Sequence, residues 1–438
     1  MMPLIKENVI KQCELAQQKT QAIVSFVVPE IQDQGNLKNL RIALKDSISL
    51  KDYPLQAGSK ILEGYKSPYD ATIVIKIKQA GGCIVAKTAM DELGMGGSGN
   101  NDIHGPVINP WDDRRITGGS SSGCAALVAC DGADVAVGTD TGDSIRKPAS
   151  YTGLVGLKPT YGKISRFGIV PYASSMDTVG IIAQTLQQAQ ILYDVLQGQD
   201  PYDLMTYLPK SLEEDSKTMQ RKFKLGVFDS LIEYADPYLK KQLQILIDHI
   251  EKRMEVKRVY MPHDLLELID SVYTVIANAE ACSNHANLDG LRFGWQRREE
   301  SIEETRASGF SLEVKKRFMS GAYALHKENQ DRLFIKAHKI RRKIVDAYAF
   351  MFKEVDIIIS LTTPDIAPLL TEYEENSSIA LSYLKLSNFS GYPAISIPFG
   401  KKDGLPFGLH LAAKPCMETT LFKAANDLQS IIMEMQYV

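Results

Sequence analysis

Between Gly118 and Lys158 the chain sets two loops dense in glycine and serine around short apolar runs. Ala125 to Cys130 is a string of small residues suited to a tightly packed helix, and Ala133 to Gly138 is an apolar run of strand length. Each serine-bearing loop then falls at the end of an element, where backbone N–H groups have no partner within a helix or sheet. A hydroxyl nucleophile and a cradle of N–H donors for a developing oxyanion can share such a place.

The same alternation of helix and strand recurs elsewhere, which predicts an α/β architecture. Leu40 to Ser49 reads as a strand interrupted by one lysine, Lys45, with Asp46 at a turn. Thr72 onward is a helix stopped by Gly81-Gly82 and followed by a buried strand, Cys83 to Ala86. Gly94 to Asn100 is a glycine loop able to line a cleft. Thr185 to Leu196 is a helix and Lys224 to Phe228 a strand. Asp236-Pro237 gives an N-cap and an N1 proline ahead of Leu239, Leu243, Leu246, Ile247 and Ile250, a core-facing stripe. Residues 1–38 open with a surface helix, and 198–217, rich in Asp, Glu, Pro and Tyr, is the expected peripheral excursion.

With 438 residues, 44% of them hydrophobic, the chain can bury a large core, and a net charge of −3 argues against a general polyanion-binding surface. Six scattered cysteines form no C-x-x-C pair and have no histidine at zinc spacing, so no metal site is expected and free thiols in a reducing compartment are. No apolar run reaches the about 18 residues of a membrane span, and the first thirty residues hold three glutamates and no arginine, unlike a transit peptide. A cytoplasmic protein is expected, or one of an organelle matrix if eukaryotic.

Gly119 to Gly123 satisfies the G-x-S-x-G nucleophile elbow with Ser121 at its centre, but a low-complexity run matches that pattern by chance. His410 is the sole histidine of the last hundred residues, and it sits in a strand-like context. A phosphate loop fails because no Gly-Lys-Ser/Thr follows the glycines.

Three segments, GGSSSG (118–123), TDTGDSIRKPA (139–149) and GLVGLKPT (153–160), together resemble the amidase signature family of serine amidohydrolases. The resemblance implies a mixed twisted sheet sandwiched between helices, forming one domain over 1–438. It also implies a Ser–Ser–Lys triad with Ser144 as nucleophile, Ser120 as bridging serine after a cis Gly119–Ser120 peptide, and Lys45 as base. The backbone N–H groups of Thr141, Gly142, Asp143 and Ser144 are the implied oxyanion hole. A serine hydroxyl must give up its proton as it attacks, and lysine accepts it only when neutral. Moving a lysine from about 10.4 to neutrality costs on the order of 4 kcal/mol, which burial has to supply. One departure stands at the site itself: T-G-D-S replaces T-G-G-S, so Asp143 brings a carboxylate to the oxyanion loop.

Tyr273 to Asn284, Asp289 to Gly294, Glu313 to Arg317, Gly321 to Leu325 and Thr362-Thr363-Pro364 narrow the resemblance to one branch, the A subunits of tRNA-dependent amidotransferases. In that branch an arginine at the Arg317 position holds the α-carboxylate of glutamine, and Tyr273 lines the same pocket. The acid that takes the amino group falls near Leu381, where this chain has none; Glu374, Glu375 or a realigned loop are substitutes. The implied reaction releases ammonia from glutamine to convert Glu-tRNA(Gln), or the aspartyl counterpart, to the amide. A B-type subunit, with a small C-type subunit, is the implied partner. It carries ATP, Mg²⁺ and most of the tRNA contact, so this chain needs no cofactor. A free-standing amidase and a non-catalytic assembly subunit are the rival readings.

Overall fold

Short runs of valine, isoleucine and alanine supply the strands, because β-branched and small side chains fit a pleated surface that helices then cover. The computed structural model describes residues 4–212, 222–295, 300–373 and 379–436. In chain order the strands are β1 Ile23–Phe26, β2 Arg41–Lys45, β3 Cys83–Thr88, β4 Val135–Asp140, β5 Val155–Lys158 and β6 Thr178–Ala183, followed by β7 Leu225–Phe228, β8 Val256–Val259, β9 Ile357–Leu361, β10 Ala394–Lys402 and β11 Leu405–Ala413. They form one 11-stranded sheet in the order β1-β3-β2-β4-β6-β5-β10-β11-β9-β7-β8. β2 runs parallel to β3 and β4, and β7 runs parallel to β8 and β9. The remaining pairings are antiparallel, so the sheet is mixed.

The two faces differ in side-chain size. Ile42, Leu44, Val135 and Val137 point into a core shared with helices α2 (Thr72–Gln79) and α5 (Leu186–Leu196), and with helices Pro237–Glu251 and Glu418–Gln436. Ala43, Ala86 and Ala136 face the other way, against α1 (Lys6–Thr20) and α3 (Ser122–Ala129), itself rich in alanine. Small residues on both partners let α3 lie close to the sheet. Gly123 marks the limit, since a Cβ there would come within 2.6 Å of the Ala89 carbonyl.

Most expected elements appear, with shifted ends. Asp236 accepts from the N–H groups of Tyr238 and Leu239, capping the helix whose leucine stripe is buried. Thr185 lies outside α5 as its N-cap, in a capping box with Gln188. β4 begins at Val135, two residues later than the apolar run, because the Asp134 carboxylate turns to Arg41 at 2.7 Å. It extends through Thr139 and Asp140, polar residues whose partners lie inside. Ile23–Phe26, within the N-terminal segment, is a strand at the sheet edge. Of the expected excursion, 198–212 is turns and short 3₁₀ segments, and the rest lies outside the described residues.

Candidate active site

Parallel strands deliver their carboxyl ends to one side of a sheet, and loops leaving those ends form the cleft. Lys45 is the last residue of β2, and the loop after β4 carries Thr141 to Ser144 into α4 (Arg146–Thr152). Ser120 precedes α3, which packs beneath both. The sheet thereby gathers Lys45, Ser120 and Ser144, which are 0%, 1% and 4% exposed. Lys45 Nζ donates to Ser120 Oγ at 2.8 Å and to Thr139 Oγ1 at 2.9 Å. The Ser121 N–H reaches the Ser144 carbonyl at 3.3 Å, so the two serine loops touch. The Gly119–Ser120 peptide is cis.

Burial pushes the Lys45 ammonium down to about 8, against the pull of Cys124, Asp91, Asp140 and Asp177. That is the direction a lysine base requires. Its donors aim at two hydroxyls, which leaves the lysine able to exchange a proton with Ser120.

The loop that carries Ser144 is held from behind by ionic contacts to which the sequence motifs attach no role. Arg146 and Asp140, both fully buried, pair at 2.9 Å. Arg146 also donates to the Gly142 carbonyl at 2.8 Å and to Asn388 Oδ1 at 2.8 Å, while Asn388 Nδ2 returns to the Asp140 carbonyl at 2.9 Å. Thr141 Oγ1 donates to Asp177 at 2.7 Å. No described residue accepts from the N–H groups of Thr141, Gly142 or Asp143, so they are free to serve an incoming oxygen. The Asp143 carboxylate is turned to Lys147, 2.7 Å away, and is thereby neutralised. Burial works against the Lys147 charge, but Asp143 outweighs it and holds the ammonium well above the usual lysine range. Thr139, Asp140, Arg146 and Lys147 all stand in the quoted TDTGDSIRKPA segment, so the signal was present without a role attached.

Arg317 and Tyr273 come to the same side of the loop. Arg317 is half-buried and donates to the Tyr172 hydroxyl at 3.3 Å. Tyr273, buried on helix His263–Asn284, interacts with that same Tyr172, and burial first, then Tyr172, raises its phenol well above the usual range. Its ring packs against Gly142: a Cβ there would lie 3.2 Å away. A cavity of about 220 Å³ lies beside Tyr172, lined by Thr139, Gly94, Leu93, Phe167 and Asp177 among others. Leu381 lies in the short helix Ile379–Ser382, and Glu374 and Glu375 lie outside the described residues.

Ser121 is not arranged as a hydrolase elbow. Its hydroxyl donates to the Thr139 carbonyl at 3.2 Å, and His410 lies instead against Arg146, at 3.3 Å. Burial first, then Arg146, holds that imidazole neutral. Among the described residues no group of three or more His, Cys, Asp or Glu could hold a metal ion, and no helix is long and apolar enough to cross a membrane.

The family model for amidases matches residues 5–422. The chain belongs to the amidase family. It is similar to the A subunit of the glutamyl-tRNA(Gln) amidotransferase of Aliarcobacter butzleri, 39% identical over 402 residues that cover 89% of this chain and 88% of that one. The corresponding A subunit of Methanosarcina mazei is 39% identical over 410 residues, covering 90% and 85%. Among solved structures, the glutamyl-tRNA(Gln) amidotransferase A subunit of Thermotoga maritima superposes with a TM-score of 0.78 at 32% identity, covering 96% of this amidase and 91% of that chain.

Proposed function

We propose that this amidase is the glutamine-hydrolysing subunit of a tRNA-dependent amidotransferase. The observation that carries the chemistry is the fully buried Lys45, brought down to about 8 and bonded to Ser120 beside the Ser144 loop. Similarity over nearly the whole length to the A subunits of glutamyl-tRNA(Gln) amidotransferases supports the substrate.

Ser144 Oγ attacks the side-chain amide carbon of glutamine. Its proton passes to Ser120, whose own proton moves to Lys45 Nζ. The oxyanion takes the N–H groups of Thr141, Gly142 and Asp143. As the C–N bond breaks, the leaving nitrogen regains a proton through the same relay and departs as ammonia. Water then cleaves the glutamyl ester on Ser144 by the reverse relay and releases glutamate. Arg317 pairs with the substrate carboxylate, as a planar two-pronged donor does well, and Tyr273 forms the wall beside it. The ammonia passes to a B-type partner, in a complex that includes a small C-type subunit. That partner supplies ATP and Mg²⁺ and most of the tRNA contact.

The test is ammonia release from glutamine by the purified chain, alone and with the partner, ATP and misacylated tRNA, beside Ser144→Ala. Release that requires Ser144 and rises with the partner supports the reading. Release from other amides but not glutamine makes the chain a free-standing amidase, and a folded protein silent on every amide makes it an assembly subunit.

A further inference from the structure

Glutamine carries an α-ammonium besides its carboxylate and amide, and an ammonium withdrawn from water needs an acidic acceptor. The carboxylates around the nucleophile loop are mostly committed. Asp140 is held by Arg146 and the Ile145 N–H, and Asp143, which like Asp270 has a lysine partner, keeps only 15% of its side chain exposed. Asp177 accepts from Thr141 Oγ1 and from the N–H groups of Tyr172 and Ala173. Asp91 accepts from the N–H groups of Gly99 and Asn101.

Asp270 stands apart. Its Oδ1 takes a hydrogen bond from Lys385 Nζ, yet its side chain is still 29% exposed. An ionised carboxylate has about four acceptor sites, so one lysine does not exhaust it. Asp270 lies three residues before Tyr273 on helix His263–Asn284, so the two share a face. Lys385 stitches them to the oxyanion loop: its Nζ is 4.7 Å from the centre of the Tyr273 ring, and its Cγ would meet a Cβ on Gly142 at 3.2 Å. Gly142, Tyr273, Lys385 and Asp270 thus form one wall, which Arg317 joins through Tyr172. The wall has a cationic end at Arg317 and, past the Lys385 ammonium, the exposed side of the Asp270 carboxylate, an arrangement with a place for each charge of a zwitterionic amino acid.

We infer that Asp270 accepts the α-ammonium of the substrate and so selects amino-acid amides. This rests on the glutaminase reading above. Glutaramate separates the two, because it keeps the amide and carboxylate of glutamine and lacks the amino group. The chain, alone and in its complex, is assayed on both compounds as wild type, Asp270→Asn and Lys385→Met, with thermal unfolding recorded for each.

Wild type is expected to favour glutamine in kcat/KM by about 10- to 100-fold. Asp270→Asn loses that preference through the KM for glutamine and leaves glutaramate unchanged, whereas Lys385→Met keeps the preference even where it lowers the unfolding temperature. Retained preference in Asp270→Asn overturns the inference, as does equal loss in both variants, which makes the pair purely structural. Wild type that hydrolyses both compounds equally well overturns it while the glutaminase reading stands. Wild type that hydrolyses neither, although an acylating reagent still labels Ser144, overturns both.

Discussion

Lys147 Nζ lies 2.7 Å from Asp143 Oδ2, one helical turn further on, so the carboxylate in the loop proposed to hold the oxyanion has its charge balanced where it stands. Lys147→Met should release that charge beside the developing alkoxide and lower kcat by about 10- to 100-fold, the scale of losing one oxyanion donor or less. The double variant Asp143→Gly/Lys147→Met should recover most of the loss. Steady-state ammonia release from both variants decides it, and a double variant no better than the single one rules out the electrostatic account.

Lys45 works as a base only when neutral, and burial places its midpoint at about 8. kcat/KM should therefore fall as pH drops through about 8 and level off above it. Ser120→Ala should cut the rate by at least about 100-fold, because proton relays of this kind contribute factors of 10² to 10⁴. A profile flat from about pH 6 to 9, either side of that midpoint, would exclude Lys45 as the group that gates activity.

Arg146→Met leaves Asp140 charged, fully buried and without its partner. Breaking a buried pair from one side costs about 3–5 kcal/mol, so the midpoint of urea unfolding should drop sharply. The pair also carries an acid signature. Arg146, offsetting burial, depresses the Asp140 carboxyl to about 2 in the folded protein. Its stabilisation is complete above the unfolded carboxylate value near 3.9 and is lost as pH falls from there through about 2. Wild type should lose stability over that window by more than Asp140→Asn does, in parallel urea titrations.

Arg317→Lys keeps the charge but gives up the two-pronged donor. The KM for glutamine should rise by about tenfold or more with kcat nearly unchanged, the pattern of lost ground-state binding. An unchanged KM would make Arg317 a helix charge bonded to Tyr172 with no part in binding glutamine.

What the sequence made legible was local. The cap at Asp236-Pro237 and the leucine stripe behind it are decided within one helix, and they stand as expected. The family motifs located Lys45, Ser120 and Ser144, which the fold brings together. Thr139 and Asp140 broke the apolar pattern of β4, because their partners, Lys45 and Arg146, satisfy them from other elements. Asn388 bonds to Arg146 across 242 positions and Lys385 to Asp270 across 115, separations at which periodicity and spacing carry no information. Asp143 looked like a fault only while Lys147 was read as part of a motif rather than as its neighbour on the next turn.

Lys45, Ser120 and Ser144 all precede residue 145, whereas Tyr273, Arg317, Asp270 and Lys385 come from the second half of the chain. On the proposed roles, the residues for breaking an amide and those for choosing one lie on separate stretches, free to drift at different speeds. A new preference can arise from a few changes between 270 and 385 while the relay stays as it was. Asn388 and the Leu384 carbonyl set the limit of that freedom, since both anchor Arg146 behind the Ser144 loop. Grafting the later stretch from a relative with another appetite should therefore succeed only when that clasp is carried across intact.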